Sequence, residues 1–205
     1  RTTMLEAQSA DYVRTARARG LGDKVLSLTT QYRLGANGEA TEFTRTWTDG
    51  QGRTLRQEDA AGAATTWEYN DKGQLVRTTD PDGVSMLYAY NDRGEQDVQA
   101  VDVNRNGEID FAGPDRITRT RSWVEPATND REAVRVSVQE SWSSSGSDAP
   151  VVLSRSETSL DGRRSWMTDA AGAVTYSEQI MPATPDGSWQ QRTVMPDGSE
   201  RLQSY

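Results

Sequence analysis

Apolar and polar positions alternate along much of this chain in runs of about six or seven residues, the usual length of one strand. Thr66, Glu68 and Asn70 oppose Trp67 and Tyr69; Leu87 and Ala89 oppose Tyr88 and Tyr90. An alternation of two predicts strands with one face toward a core. The runs are separated by turn sequences such as Tyr69-Asn70-Asp71-Lys72-Gly73 and Asp80-Pro81-Asp82-Gly83. In these, proline presets φ, an Asx side chain bonds its own backbone and glycine takes positive φ. Strands joined by such turns form a meander of hairpins.

The turns are periodic. Gly52, Gly62, Gly73, Gly83 and Gly94 are spaced 10, 11, 10 and 11 residues apart, so two half-repeats make a period of 21. The pattern returns at Leu160-Asp161-Gly162 and Asp169-Ala170-Ala171-Gly172, then at Pro185-Asp186-Gly187 and Pro196-Asp197-Gly198. A fixed period of this size marks a repeat architecture. The chain divides into a weakly repeating N-terminal hairpin segment (1–43), repeats (44–99), an insertion (100–150) and further repeats (151–205). Residues 3–19 read as a helix ending at Gly20 or as strands turning at Gly20-Leu21-Gly22. Thr2, Thr3, Tyr12, Val13 and Thr15 favour strands.

The insertion opens on Asp102-Val103-Asn104-Arg105-Asn106-Gly107-Glu108-Ile109-Asp110. Oxygen-bearing side chains at positions one, three and five, with glycine at six, match the start of a calcium loop. Glu108 would offer its carbonyl, and Asp110 would ligate directly or through water. Position twelve is Gly113 where an EF-hand has glutamate, and Asp115 is the substitute. A second reading stands beside it: a run of Asx turns without an ion. The ion would be structural, with a Kd of about 10⁻⁴–10⁻³ M. Beyond the loop, Ile117–Val124 and Ala133–Trp142 predict two longer strands, with Val134, Val136, Val138 and Glu140 on one face. Ser141–Pro150 reads as a polar loop.

Composition thins the core. Hydrophobic residues make up 34% of the 205, with 2 Phe against 6 Trp and 7 Tyr. Rings with a polar edge suit an extended sheet better than a thick globule. Trp47, Trp67, Tyr69 and Tyr90 are candidate ligand aromatics, though packing is the simpler role for them. The formal charge of −8 argues against nucleic acid and anionic membranes. No stretch approaches the ~20 apolar residues of a membrane span. With no Cys and no His, disulfides, thiolate metal sites and Ser-His, Cys-His or zinc-histidine catalysis are excluded. A chain opening on Arg1 without a signal peptide reads as a piece of a longer protein.

The stretch from Tyr69 to Gly83 resembles the RHS/YD repeat family, whose pattern is Tyr-Asp-x-x-Gly-x-Leu followed by Asp-Pro-x-Gly. Asn70 then reads as an extra residue between Tyr69 and Asp71. The likeness is strong over 66–94, fair over 44–65 and 155–200, weak before 44 and absent from 100 to 150. It implies an all-β fold of tandem antiparallel hairpins in an extended, curved sheet. In the family such sheets spiral into shells around toxin domains of bacterial competition proteins and insecticidal complexes. About four or five units are present here, too few to close a large cavity alone.

The resulting expectation is a non-catalytic structural or encapsulating module of a large secreted or cell-surface bacterial protein, toxin-associated and stiffened by Ca²⁺. Its partners are further repeats or domains of its parent, or a second copy joined edge to edge. The alternative is a glycan-binding or adhesion module that uses exposed Trp and Tyr. A carboxylate glycosidase or lyase ranks last, because no pair among the acidic residues is singled out as two carboxyl groups ~5–9.5 Å apart.

Overall fold

The computed structural model describes residues 3–6, 27–34, 40–128, 132–143, 149–182 and 187–205. Among them there are strands and turns but no helix. They fall into two compact units: residues 1–89 with 101–108, and residues 90–100 with 109–205.

The first unit holds β1 (Thr3–Glu6), β2 (Ser27–Leu34), β3 (Ala40–Thr48), β4 (Thr54–Asp59), β5 (Ala64–Tyr69), β6 (Leu75–Thr79) and most of β7 (Ser85–Tyr90). Each is antiparallel to the next in chain order. Of β8 (Gln96–Asp102), residues 96–100 belong to the second unit. That unit continues with β9 (Arg116–Glu125), β10 (Val134–Trp142), β11 (Val151–Ser159), β12 (Arg164–Asp169), β13 (Val174–Ile180), β14 (Gln190–Val194) and β15 (Glu200–Ser204). From β9 to β15 these also pair antiparallel in chain order. The all-β class and the tandem hairpins expected from the alternation are what each unit shows. β1 is a strand, as expected for the start of this stretch, while the turn expected at residues 20–22 lies outside the described residues.

The 100–150 stretch breaks the repeat but not the strand pairing. β10 pairs with β9 on one side and β11 on the other. Its alternation is sharp: Val134, Val136, Val138, Glu140 and Trp142 are buried, and their neighbours point away. The register lays Trp123, Val136, Glu157, Trp166 and Tyr176 in one row across five strands. The two last rings are 5.4 Å apart and tilted by 40°. Val134, Val136 and Val138 form the core here, with Trp166 packed against them.

In the first unit the core is smaller still. Trp47 and Leu55 are buried against each other, with Leu28 and Tyr69 closing the sides. The β3–β4 register shifts between Trp47 and Thr48, and the β5–β6 register between Glu68 and Tyr69. The two irregularities stand one period apart. A bulge at a strand end re-aims the following side chain, and the second one falls where Tyr69 packs on Trp47.

Candidate functional site

The turns that define the repeat share one set of hydrogen bonds. At Asn70, Oδ1 accepts the backbone N–H of Lys72 at 3.0 Å and of Gln74 at 2.9 Å. The Asn70 N–H donates to the Gln74 carbonyl, and the Gly73 N–H to the Asn70 carbonyl, both at 2.9 Å. The same four bonds recur at Asp80 with Asp82, Gly83 and Val84. They recur again at Asp49, Asp59, Asn91 and Asp169. Closing the turn forces Gly73 to φ 81 and Gly83 to φ 77, a region that costs glycine little and other residues more. Gly52, Gly62, Gly94, Gly162 and Gly172 adopt the same sign.

This geometry corrects one reading of the motif. Asn70 is not an extra residue between Tyr69 and Asp71. It occupies the position of the family's aspartate and does its work, while Asp71 lies exposed on the turn. The substitution is chemically consistent with the residue four places on. An amide leaves an N–H pair over, and Asn70 and Asn91 give theirs to Gln74 Oε1 and Glu95 Oε2 at 2.8 Å. A carboxylate leaves an oxygen over, and Asp49 Oδ2 accepts from Arg53 Nε at 2.7 Å. Burial alone would raise the Asp49 carboxyl, but its bonds from the Arg53 side chain and from backbone N–H groups hold it below its ordinary range.

The candidate aromatics divide by burial. Trp47 is 1% exposed and is a core residue, so it cannot serve as a ligand platform. Tyr69 packs on it, donates its hydroxyl to the Thr54 carbonyl at 3.1 Å and carries the Arg53 guanidinium 4.6 Å above its ring. Trp67 and Tyr90 are half-buried.

The proposed calcium ligands are held in two sets. In the first unit, the buried Asp102 carboxylate accepts the N–H of Asn106 at 3.2 Å and of Gly107 at 2.9 Å. Asn104 Oδ1 accepts from Asn106 N–H, and Asn106 Oδ1 from Glu108 N–H. Gly107 turns the chain at φ 82 with the Arg77 guanidinium against it. In the second unit, buried Asp115 accepts the N–H of Asp110 at 3.0 Å. Gly113, at the position where an EF-hand has glutamate, donates to the Asp110 carbonyl. A Cβ on Gly113 would stand 2.6 Å from that of Asp110, which explains why no acid is found there. Among the described residues, no three acidic side chains gather into a group that could hold a metal. Any ion at Asp102 would rely on amide and carbonyl oxygens.

One feature escaped the pattern. Gln179, Trp189, Gln190, Gln191 and Tyr205 line a groove of about 480 Å³ in the second unit. The Tyr205 N–H donates to the Trp189 carbonyl at 2.9 Å, so the two residues stand opposite each other just past the paired ends of β14 and β15. Two pairs further in lies a row of amides, Gln179–Gln191–Gln203, on the same face. Tyr205 donates its hydroxyl to Gln191 Oε1 at 3.3 Å. The signal was present in the sequence: Trp189 and Tyr205 lie equally far on either side of Asp197, the centre of a predicted hairpin turn.

The RHS Repeat family pattern matches residues 49–85 and 69–106. No curated protein matches the chain. The two matches overlap and are displaced by about one period, the displacement that separates the Asp49 turn from the Asn70 turn and the Asn70 turn from the Asn91 turn. Residues 49–106 of this chain belong to the RHS/YD-repeat family.

Proposed function

We propose that this chain is a non-catalytic structural module of a large secreted or cell-surface bacterial RHS/YD protein, a stretch of wall in a toxin-enclosing sheet. The observation that carries the reading is the turn itself. Among the described residues six Asx turns share one hydrogen-bond set, and each joins one strand to the next. Structural service is what such repeats provide, and no helix among the described residues is long and apolar enough to cross a membrane.

A wall must continue. Among the described residues β15 pairs only with β14, and all five of its residues are exposed. Because Tyr205 and Gln203 turn their N–H groups inward, Leu202 turns its own toward the open edge. Open edges pair with further strands. In the parent these are more repeats; in the isolated chain they are a second copy. Sedimentation at rising concentration is expected to show association that Leu202→Pro removes, since proline lacks the outward donor. Leu202→Lys guards against a proline variant that misfolds. A wild-type chain that stays monomeric throughout, or variants that associate equally well, would count against the reading.

We also propose a structural calcium ion at Asp102, Asn104, Asn106 and the Glu108 carbonyl. The order of oxygens along the loop and the turn at Gly107 support it. One carboxylate and two amides make a low-charge site, suited to millimolar external calcium. Tenfold excess of ion over Kd adds about 1.4 kcal/mol to stability. Calcium is expected to raise the melting temperature and a chelator to reverse it, with no shift in Asp102→Ala. A melting curve indifferent to calcium leaves the loop as a set of Asx turns.

A further inference from the structure

We propose that Asn106–Gly107 is a self-modifying junction, a deamidation site whose rate is set by the buried Asp102 carboxylate. The reaction needs no ion and is independent of the calcium reading.

The chemistry follows from the residue pair. The backbone nitrogen of the residue after an asparagine can attack the side-chain Cγ. The new N–Cγ bond closes a five-membered succinimide, the Cγ–Nδ2 bond breaks, and ammonia leaves with the proton that the backbone nitrogen gives up. Water then opens the ring at either carbonyl and returns aspartate or isoaspartate. No oxidant or other reagent takes part. A glycine in second place has no Cβ to block the approach. Among the described residues Asn106–Gly107 is the one such pair, since Asn70, Asn91 and Asn104 precede Asp71, Asp92 and Arg105. Asn37–Gly38 lies outside the described residues.

The loop holds both reacting groups back from this step. Gly107 N–H donates to Asp102 Oδ2 at 2.9 Å, and Asp102 is 3% exposed. The nitrogen must shed that proton to attack. A carboxylate at the far end of the bond disfavours an amide anion, the more so out of water. Asn106 is fixed at the same time: its N–H donates to Asp102 Oδ1 at 3.2 Å, and its Oδ1 accepts from Glu108 N–H at 2.8 Å. One carboxylate therefore grips the backbone nitrogens of both residues. The Arg77 guanidinium lies where a Cβ of Gly107 would stand, and its charge works the other way. Glu68 at 3.5 Å offsets part of that charge, whereas the bond from Asp102 acts on the reacting nitrogen itself.

Opening of the loop is the event that starts the reaction, and the product keeps a record of it. Isoaspartate adds one carbon to the main chain between positions 106 and 107, so the bonds to Asp102 cannot re-form in register. Aspartate sets a second carboxylate against that of Asp102. Hydrogen bonds that open locally close again and leave no trace; the covalent change accumulates with the time the loop has stood open.

The test incubates the folded chain at mildly alkaline pH with a chelator and maps its peptides by mass spectrometry, with isoaspartate read by methyltransferase labelling. The chelator keeps any ion out of the comparison, and mapping separates Asn106 from Asn37. The same chain in concentrated urea gives the unprotected rate. Asn106 is expected to convert in urea and about tenfold or more slowly in the folded chain. Asn70, Asn91 and Asn104 should lag far behind it in urea. Asp102→Asn should raise the folded rate toward the urea rate, in a variant whose circular dichroism shows that it keeps its strands. Hydrogen exchange gives a check that needs no variant: the Gly107 amide should exchange slowly, and its protection should parallel the slowing of deamidation. Equal rates in the folded chain and in urea overturn the proposal, and so does a Gly107 amide that exchanges as fast as in urea. A folded Asp102→Asn variant that converts no faster than the wild type overturns it as well, and a slower one would make Asp102 the base that removes the proton.

Discussion

Trp47→Ala should lower the unfolding free energy by about 3–5 kcal/mol, the usual cost of emptying the site of a large buried aromatic. Trp47 is 1% exposed, and among the described residues its cluster holds one other buried side chain, Leu55. Leu28 and Tyr69 are only partly buried, so they cannot close over the space without exposing themselves. The Arg56 guanidinium lies 5.7 Å from the ring and would lose that contact as well. A domain holds only about 5–15 kcal/mol in total, so this one side chain supplies a large share of it. Trp67→Ala is the control: its ring is half-buried on the opposite face of β5 from Thr66 and its partner Arg56. Urea titration of both variants separates the cases. A loss at Trp47 no larger than at Trp67 would mean that the first unit has no core at this point.

The second large effect is expected at Glu140. Its carboxylate is buried and accepts from both Arg119 and Arg121, with contacts of 2.7 to 3.1 Å. Arg119 also lies 4.8 Å from the Trp142 ring, which meets Phe111 edge to face at 4.9 Å. Removing the acid leaves two guanidinium groups facing each other over aromatic surface. A fully buried pair loses about 3–5 kcal/mol when one partner goes. Arg121 is 48% exposed, so water recovers part of the loss. Glu140→Gln is therefore expected to cost about 2–3 kcal/mol.

The same site sets a pH dependence. Burial alone would raise the Glu140 carboxyl, but the bonds and charges of Arg121 and Arg119 outweigh it and hold it below its ordinary 4.5. A lowered folded value means that the stabilisation is complete above 4.5 and is lost as pH falls through the folded value. Stability of the wild type should fall across that acid window, and Glu140→Gln should show a shallower fall. Parallel acid curves for the two proteins would separate Glu140 from the effect.

The fold was legible because it is written in local signals. Turn glycines, Asx residues and alternation all act within about four residues, and the strands follow them from Thr44 to Tyr90. The face shared by Val134, Val136, Val138 and Glu140 was visible for the same reason. What was hidden depends on register. That Glu140 meets Arg119 and Arg121 follows only once β9 and β10 are aligned, and the same holds for Trp189 and Tyr205. Trp47 misled as a candidate ring because alternation shows that residues share a face but not which face is covered. Asn70 misled because the family pattern was aligned on the letter Asp rather than on the distance to the glycine.

Asn70, Asp80 and Asn91 close their hairpins entirely with atoms from the next four residues. From β3 to β7 each strand meets its partner across one short turn and needs no distant one before it can form. Such a stretch has low contact order and can begin to fold at any of its hairpins. It also tolerates a particular kind of genetic accident. A cut and rejoin between equivalent turns, such as Asn70 and Asn91, removes or adds one whole 21-residue unit and leaves every remaining turn intact. Length can then change between lineages by unequal recombination, without any compensating mutation at the joint.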